Sequence, residues 1–250
     1  MLGTLKRAGD VLDLFTTDDP EWGVTAVARR LEIGKSLAHD VLASLAAIGL
    51  LQRVGSGRYR LGWRTVSMAS VLLRTSELKV QARPVVREVA ERKGLTVSLV
   101  AWDRRRLVYI DRCHSMRRVS VSVRGPVAGA TVPIDGRAAS KVLLASRCPD
   151  EVRSLWDCGF VHTRHASLSE LELDLDAVRR NGWAHDEAGA AVPGNAVAAP
   201  VRDVGGDVAA ALSLDAAHPC AAANVHLHAR MAVATASRIS TALRHCNALN

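Results

Sequence analysis

The sequence predicts an α+β protein of two domains. Three observations carry that expectation. The chain has 250 residues, too many for one small module and enough for two independent cores. Near the start, three short segments with apolar residues at three-four spacing precede two strand-like runs around a glycine turn. Downstream, strand-like runs are interrupted by helical ones, the order expected of an antiparallel sheet with helices packed on it.

Leu5, Ala8, Val11, Leu12 and Phe15 form one face of a first helix, which Asp18, Asp19 and Pro20 break. Val24, Val27, Ala28 and Leu31 mark a short second helix. Ile33 and Gly34 form a tight connection to a third, whose stripe is Ala38, Val41, Leu42, Leu45 and Ile48 and whose stop is Gly49. Leu50–Val54 and Arg58–Leu61 then flank Gly55-Ser56-Gly57 as a hairpin. Alternation predicts Tyr59 and Leu61 inward, with Arg58 and Arg60 outward. Three helices followed by a hairpin make a winged helix-turn-helix, placed at residues 1–63. A helical segment at residues 64–76 leads out of it, and residues 77–250 form the second domain.

In that domain Leu78, Val85, Val86, Val89 and Ala90 predict a helix ending at Gly94. Thr96–Trp102 and Leu107–Arg112 read as paired strands, and Val119–Val123 alternates as a half-buried strand should. Ala138–Ala145 and Leu168–Arg180 read as helices, Asn195–Val201 and Val208–Leu214 as strands, and Val225–Leu243 as a final helix.

Composition narrows the function. The formal net charge is +8, which favours a polyanionic partner, nucleic acid first. Aromatic residues are only 4%, too few for the base-stacking platforms that single strands require, whereas duplex DNA read by a helix needs none. The five cysteines contain no C-x-x-C pair and are odd in number, as in a reduced cytoplasmic protein. No apolar run is long enough to span a bilayer, so no membrane association is expected.

The polar face of the third helix carries Lys35, Ser36, Leu37, His39, Asp40 and Ser44. The first turns of a recognition helix enter the major groove, which makes Lys35, Ser36, Leu37, His39 and Asp40 the candidates for base and phosphate contact. Arg53, Arg58 and Arg60 on the hairpin are candidates for the adjoining backbone or minor groove. The run Lys35-Ser36-Leu37-Ala38-His39-Asp40-Val41-Leu42, followed by Gly57-Arg58-Tyr59-Arg60-Leu61-Gly62, resembles the DNA-binding domain of IclR-family transcription regulators. Two departures stand out: Asp40 occupies a place usually held by arginine, and Glu32 a place in the turn usually held by glycine.

The resemblance continues through Gly94 and Thr96, the segment Pro133–Ala145, Gly182–Asp186, Ala198–Val201 and Ala210–Ser213. It implies a GAF-like effector-binding domain for residues 77–250 and a small-molecule effector. The positions it carries over are Ala138 and Ala139 as backbone donors at a helix start, Asp186 on the facing loop, Ala196, and Ser213 and Asp215 on the last strand. Val121 and Val123 would form the apolar side. Asp215 stands where a serine is common, Ala196 where a cysteine is frequent, and Ala188 and Gly189 where two glutamates are common. A second acid near Asp186 repels a carboxylate, so the expected effector is not a simple small carboxylate. The resemblance also implies double-stranded operator DNA as partner and a homodimer or homotetramer. No cofactor, metal or catalytic set is expected.

Two other readings remain open at this point: a small-molecule hydrolase with a fused helical module, and a DNA-binding protein without an effector. The first needs a nucleophile, base and oxyanion site, and none can be assembled. Cys113 and His114 are sequence neighbours on a strand, where they face opposite ways. His162 with His165 and His226 with His228 lack further metal ligands at a suitable spacing. Arg104–Arg106, Arg112, Arg117 and Arg118 read as solvated turns and strand faces.

Overall fold

The computed structural model describes residues 3–104, 106–114, 128–186, 196–215 and 225–247. The predicted strand at 119–123, with Val121 and Val123, and the positions Arg105, Arg117, Arg118, Ala188 and Gly189 lie outside them. The chain divides into two units, Met1–Thr75 and Ser76–Asn250. Among the described residues no helix is long and apolar enough to cross a membrane.

In the first unit, helices α1 (Gly3–Leu12), α2 (Val24–Arg30) and α3 (Lys35–Ala47) enclose one core. Val11, Val27, Ala38, Val41, Leu42 and Leu45 fill it, together with Leu51 and Tyr59 from the hairpin. Two residues of the predicted stripes fall outside it. Leu5 is 66% exposed near the start of α1, and Ile48 is 51% exposed because it is the C-cap, where the chain leaves helical geometry. The hairpin is β2 (Leu51–Val54) and β3 (Arg58–Leu61), with a short 3-10 turn between them. A strand absent from the sequence reading, β1 (Glu21–Gly23), pairs with β3 through Trp22 opposite Tyr59. Three residues are too few for alternation to show. The Trp22 indole N–H donates to the Leu14 carbonyl at 2.9 Å, tying this strand to the end of α1.

One junction explains why the hairpin must follow α3 as it does. Gly49 ends the helix with φ +79, a left-handed conformation that L side chains adopt at a cost. Gly62 lies against it: a Cβ on Gly62 would sit 2.3 Å from the Gly49 carbonyl oxygen. The Gly62 N–H donates to the Leu50 carbonyl at 2.8 Å, and the Arg64 guanidinium donates to the Ile48 carbonyl at 2.6 Å. Helix end, strand start and strand end are thereby fastened at one point.

Helix α4 (Arg64–Thr75) follows and buries none of its residues. Val66, Met68, Val71 and Leu72 on it are each more than half exposed.

The second unit is a six-stranded antiparallel sheet covered on both faces. Its strands are β4 (Thr96–Asp103), β5 (Arg106–Cys113), β6 (Thr131–Val132), β9 (Ala184–His185), β10 (Ala196–Arg202) and β11 (Val208–Asp215), in the order β6-β5-β4-β11-β10-β9. A separate parallel pair joins β7 (Ile134–Asp135) to β8 (Val161–His162). Helices α5 (Glu77–Lys93) and α9 (Val225–Asn247) cover one sheet face, where Val97, Leu99, Val197, Leu212 and Leu214 form a core with Val86, Ala236 and Ile239. Helices α6 (Ala138–Ala145), α7 (Pro149–Asp157) and α8 (Leu168–Asn181) cover the other, around Val100, Ala198, Ala211, Leu143 and Leu175. The two faces alternate along the long strands, as the two-residue period requires, except at register shifts beside Leu99 and Val100 and beside Val201 and Arg202. Helix α7 was not foreseen: its nine residues bury only Val152 and Leu155, too short a stripe to register as a period.

Candidate functional site

The recognition surface begins where α3 begins. Gly34 is its N-cap in extended geometry, and no side chain caps the helix, so its first N–H groups are left for another partner. Lys35, Ser36, His39 and Asp40 are exposed there. Leu37 differs: it is half-buried and packs against the core of the unit, so it supports the surface more than it presents one. The His39 ring lies 3.5 Å from the Asp40 carboxylate, both mostly exposed. Asp40 therefore has a local partner and does not stand as an isolated acid facing phosphate. The turn before α3 holds Glu32 at φ +53, a left-handed position for a residue with a side chain. Such a residue costs about 1 kcal/mol relative to glycine, which accounts for the glycine expected there.

The hairpin separates its arginines. Register places Arg53 opposite Tyr59 and Gln52 opposite Arg60. Directly opposed residues share a face, so Arg53 lies on the Tyr59 side, while Arg58 and Arg60 share the other. Arg58 is also engaged: it donates to the Glu21 carbonyl at 2.9 Å and lies 3.9 Å from the Glu21 carboxylate. Among the described residues Arg60 makes no ion pair: its guanidinium meets the neutral Gln52 amide at 3.4 Å, and Glu21, directly opposite it on β1, has its carboxylate 3.9 Å from Arg58. Leu61, expected inward, is 46% exposed, because the hairpin ends at Gly62 beyond the edge of the core.

The second site lies on the sheet face beneath α6. Asp186, just after β9, bridges two elements: one oxygen accepts from the Ala138 N–H at 2.8 Å and the other from the Ala196 N–H at 3.3 Å. The α6 N-terminus is thus closed by the protein's own carboxylate. Ala138, expected as a donor to a ligand, is already used, which corrects that assignment. Ala139 is partly buried in the adjoining core. Burial pushes the Asp186 pKa up to about 6 against the two backbone hydrogen bonds that oppose it.

Two polar rows cross the sheet here. Arg112, Ser98, Ser213 and Ala198 stand directly opposite one another on β5, β4, β11 and β10. Thr96, Asp215 and Ala196 form the neighbouring row. Ser213 Oγ donates to Asp215 at 3.0 Å, and Thr96 Oγ1 meets His114 Nδ1 at 3.0 Å. Asp215 thus faces this site. Burial raises its pKa, and Arg112, the Ser213 hydroxyl, Arg137 and His114 pull it down. The Arg112 guanidinium lies 5.6 Å from the Tyr109 ring centre, and its Nε is buried without a hydrogen-bond partner among the described residues. Ser98, 1% exposed, has an Oγ in the same condition. Arg137, by contrast, is paired with Asp135 at 2.7 Å.

Arg112, Ser98, Tyr109 and His114 were not singled out for this site from the sequence. A period-two reading from Asp215 across the paired strands is the signal that finds Arg112, Ser98 and His114, whereas Tyr109 reaches this face through the register shift beside Leu99 and Val100. Arg112, read as solvated, has its Nε enclosed because β5 is an inner strand between β4 and β6. Cys113 points to the opposite face, against the α5–α9 core, and burial raises its thiol pKa, so it and His114 form no dyad. His165 is occupied too: Thr163 Oγ1 lies 2.6 Å from its Nδ1 and Asp174 lies 3.5 Å from its Nε2. Buried Lys141 reaches the same Asp174 at 2.8 Å.

Both parts of the chain have counterparts in known proteins. Residues 4–55 match the IclR helix-turn-helix domain, and residues 70–241 match the family described as bacterial transcriptional regulator IclR C-terminal. The chain belongs to the IclR family of transcriptional regulators. Among its relatives is the HTH-type transcriptional regulator XynR of Escherichia coli, 28% identical over 86% of each chain. Another is the acetate operon repressor of Salmonella typhimurium, 26% identical over 87% of this chain and 80% of that one. The fold is that of an IclR-family transcriptional regulator from Brucella abortus, with a TM-score of 0.81 at 19% identity over 97% and 92% of the two chains. An IclR homolog from Microbacterium hydrocarbonoxydans, complexed with 4-hydroxybenzoate, gives a TM-score of 0.73 at 24% identity over 97% and 100%. As an IclR-family member the protein is a DNA-binding transcriptional regulator.

Proposed function

We propose that α3 reads operator bases in the major groove, through His39 and Asp40, while Lys35, Ser36 and Arg60 hold phosphates. The observation that carries this reading is the uncapped, exposed start of α3, in the same unit as an arginine that makes no ion pair among the described residues. Arg58 contributes less, because part of its charge is spent on Glu21. The sheet face beneath α6 senses a small molecule, and binding there shifts the affinity for DNA by linkage. The domain limits are residues 1–63, 64–76 and 77–250. The chain acts in the cytoplasm without membrane, metal or catalytic chemistry.

One recognition helix covers a half-site, so the working unit is a homodimer, with a pair of dimers as the next assembly. Met68, Val71 and Leu72 share one exposed face of α4 and supply an apolar seam for pairing. Sedimentation of the intact chain is expected to give the mass of two or four copies, reduced by Leu72→Glu. A single-copy mass before substitution contradicts this arrangement.

Selection of bound genomic fragments tests DNA reading. Enrichment of one near-palindromic motif is expected, with His39→Ala relaxing base preference by about 1–3 kcal/mol at its position. Recovery of fragments without a shared motif would overturn the assignment.

A further inference from the structure

The sheet face beneath α6 carries five charged side chains, and three of them are committed within the protein. Arg137 is paired with Asp135, and Asp186 gives both oxygens to backbone N–H groups. Two remain. Arg112 makes no ion pair among the described residues and has a buried Nε without a partner. Among the described residues Asp215 receives one hydrogen bond, from the Ser213 hydroxyl. Between their strands lies β4, and on it Ser98, 1% exposed with an unpartnered Oγ. A buried polar group without a partner costs free energy, and a buried charge costs more. Among the described residues the face therefore holds a cation and an acid that act on each other through space but form no ion pair, and one unsatisfied hydroxyl, in adjoining rows.

A ligand with a single charge satisfies one of these groups and is repelled by the other. A simple carboxylate suits Arg112 but meets Asp215; an amine suits Asp215 but meets Arg112. Resting on the sensing role proposed above, we infer that the effector is a zwitterion, a small molecule bearing a carboxylate and an ammonium as free amino acids do. Its carboxylate pairs with Arg112 and its ammonium with Asp215, and Ser98 Oγ hydrogen-bonds the ligand between them. The cationic end keeps Asp215 ionised in a place where burial alone disfavours its charge. His114, held by Thr96 and kept neutral by burial, adds no competing charge at neutral pH.

Thermal shift and calorimetry on the intact chain test this. The probes are the twenty L-α-amino acids, β-alanine and 4-aminobutanoate. Their single-charge counterparts are acetate, butanoate, 3-phenylpropanoate, propylamine and phenethylamine. At least one amino acid is expected to raise Tm and to bind at least about ten-fold tighter than its single-charge counterparts. Asp215→Asn is expected to lose that binding by at least about ten-fold and to gain binding of the matching carboxylate, a gain that misfolding cannot produce. A carboxylate that binds the wild-type chain as tightly as any amino acid, with no response to Asp215→Asn, overturns the zwitterion. If that carboxylate also shifts affinity for the selected DNA, the sensing role stands. Failure of every amino acid to bind overturns the zwitterion as well.

Discussion

The two surfaces proposed above, one for DNA reading and one for sensing, are built on opposite plans. The DNA-reading surface displays its chemistry: His39 and Asp40 are more than half exposed, and their positions follow from one helix. The sensing face shelters its chemistry: Ser98 is 1% exposed, and its partners come from β5, β11 and the residue after β9. A long anion reached from solvent is gripped by charges that cost little to keep ready. A small ligand must offset groups whose burial is costly while the site is empty. The comparison teaches where each function spends stability. The first surface spends little beyond the strained turn at Glu32, whereas the second holds two carboxyls that burial raises, Asp186 and Asp215.

The largest effect expected is on the first unit, at a residue that touches neither ligand. Gly62→Ala puts a Cβ 2.3 Å from the Gly49 carbonyl, a backbone atom that cannot swing away. A loss of about 3 kcal/mol is expected, the upper end of overpacking costs. Chemical denaturation followed at Trp22 and Trp63 measures it, and an unchanged midpoint would remove the junction from the account. Effector binding by the second unit, measured in parallel, sharpens the contrast by keeping its wild-type affinity.

The second effect belongs to the sensing face and has a definite sign. Asp186 is raised from 3.8 to about 6 in the folded chain, so between those values the folded state holds more protons than the unfolded one. Its contribution to stability is therefore full below about pH 4, declines as pH rises to about 6, and is flat above. His114 and His185, both lowered from 6.5, act in the opposite direction below that pH. The difference between wild type and Asp186→Asn isolates the carboxyl. Relative to the variant, the wild type is expected to lose on the order of 2 kcal/mol between pH 4 and pH 6.5. Parallel pH profiles for the two proteins would show that Asp186 does not hold the proton assigned to it.

Legibility in the sequence follows the same divide. Helix α3 and its reading face were visible because one helix places Lys35, His39 and the stripe from Ala38 to Leu45 within a single local period. The four long sheet strands, β4, β5, β10 and β11, were visible to within a residue or two, since alternation marks them. Three things were not. Strand β1, the two-residue strands β6 to β9 and helix α7 are too short for a period to emerge. The split between Arg53 and the other two wing arginines depends on register, which the pairing sets and the pattern leaves open. The polar rows of the sensing face depend on strand order: Arg112 and Ser213 are about a hundred positions apart and fall in one row, on either side of Ser98, only because β4 lies between β5 and β11. Resemblance named Asp186, Ser213 and Asp215 as candidates, but it could not show that Asp186 accepts from the Ala138 N–H at the α6 N-terminus or that Arg112 makes no ion pair among the described residues.

The most direct test of the reading surface is the salt dependence of binding to the selected duplex, by fluorescence anisotropy from low to moderate ionic strength. Arg60→Ala is expected to weaken binding to operator and unrelated duplex alike and to flatten the slope of log K against log salt by about 0.9, one phosphate contact. His39→Ala is expected to leave the slope and to weaken the operator alone. The same slope for wild type, Arg60→Ala and His39→Ala, with equal losses on both duplexes, would contradict a helix that reads bases beside a wing that grips the backbone.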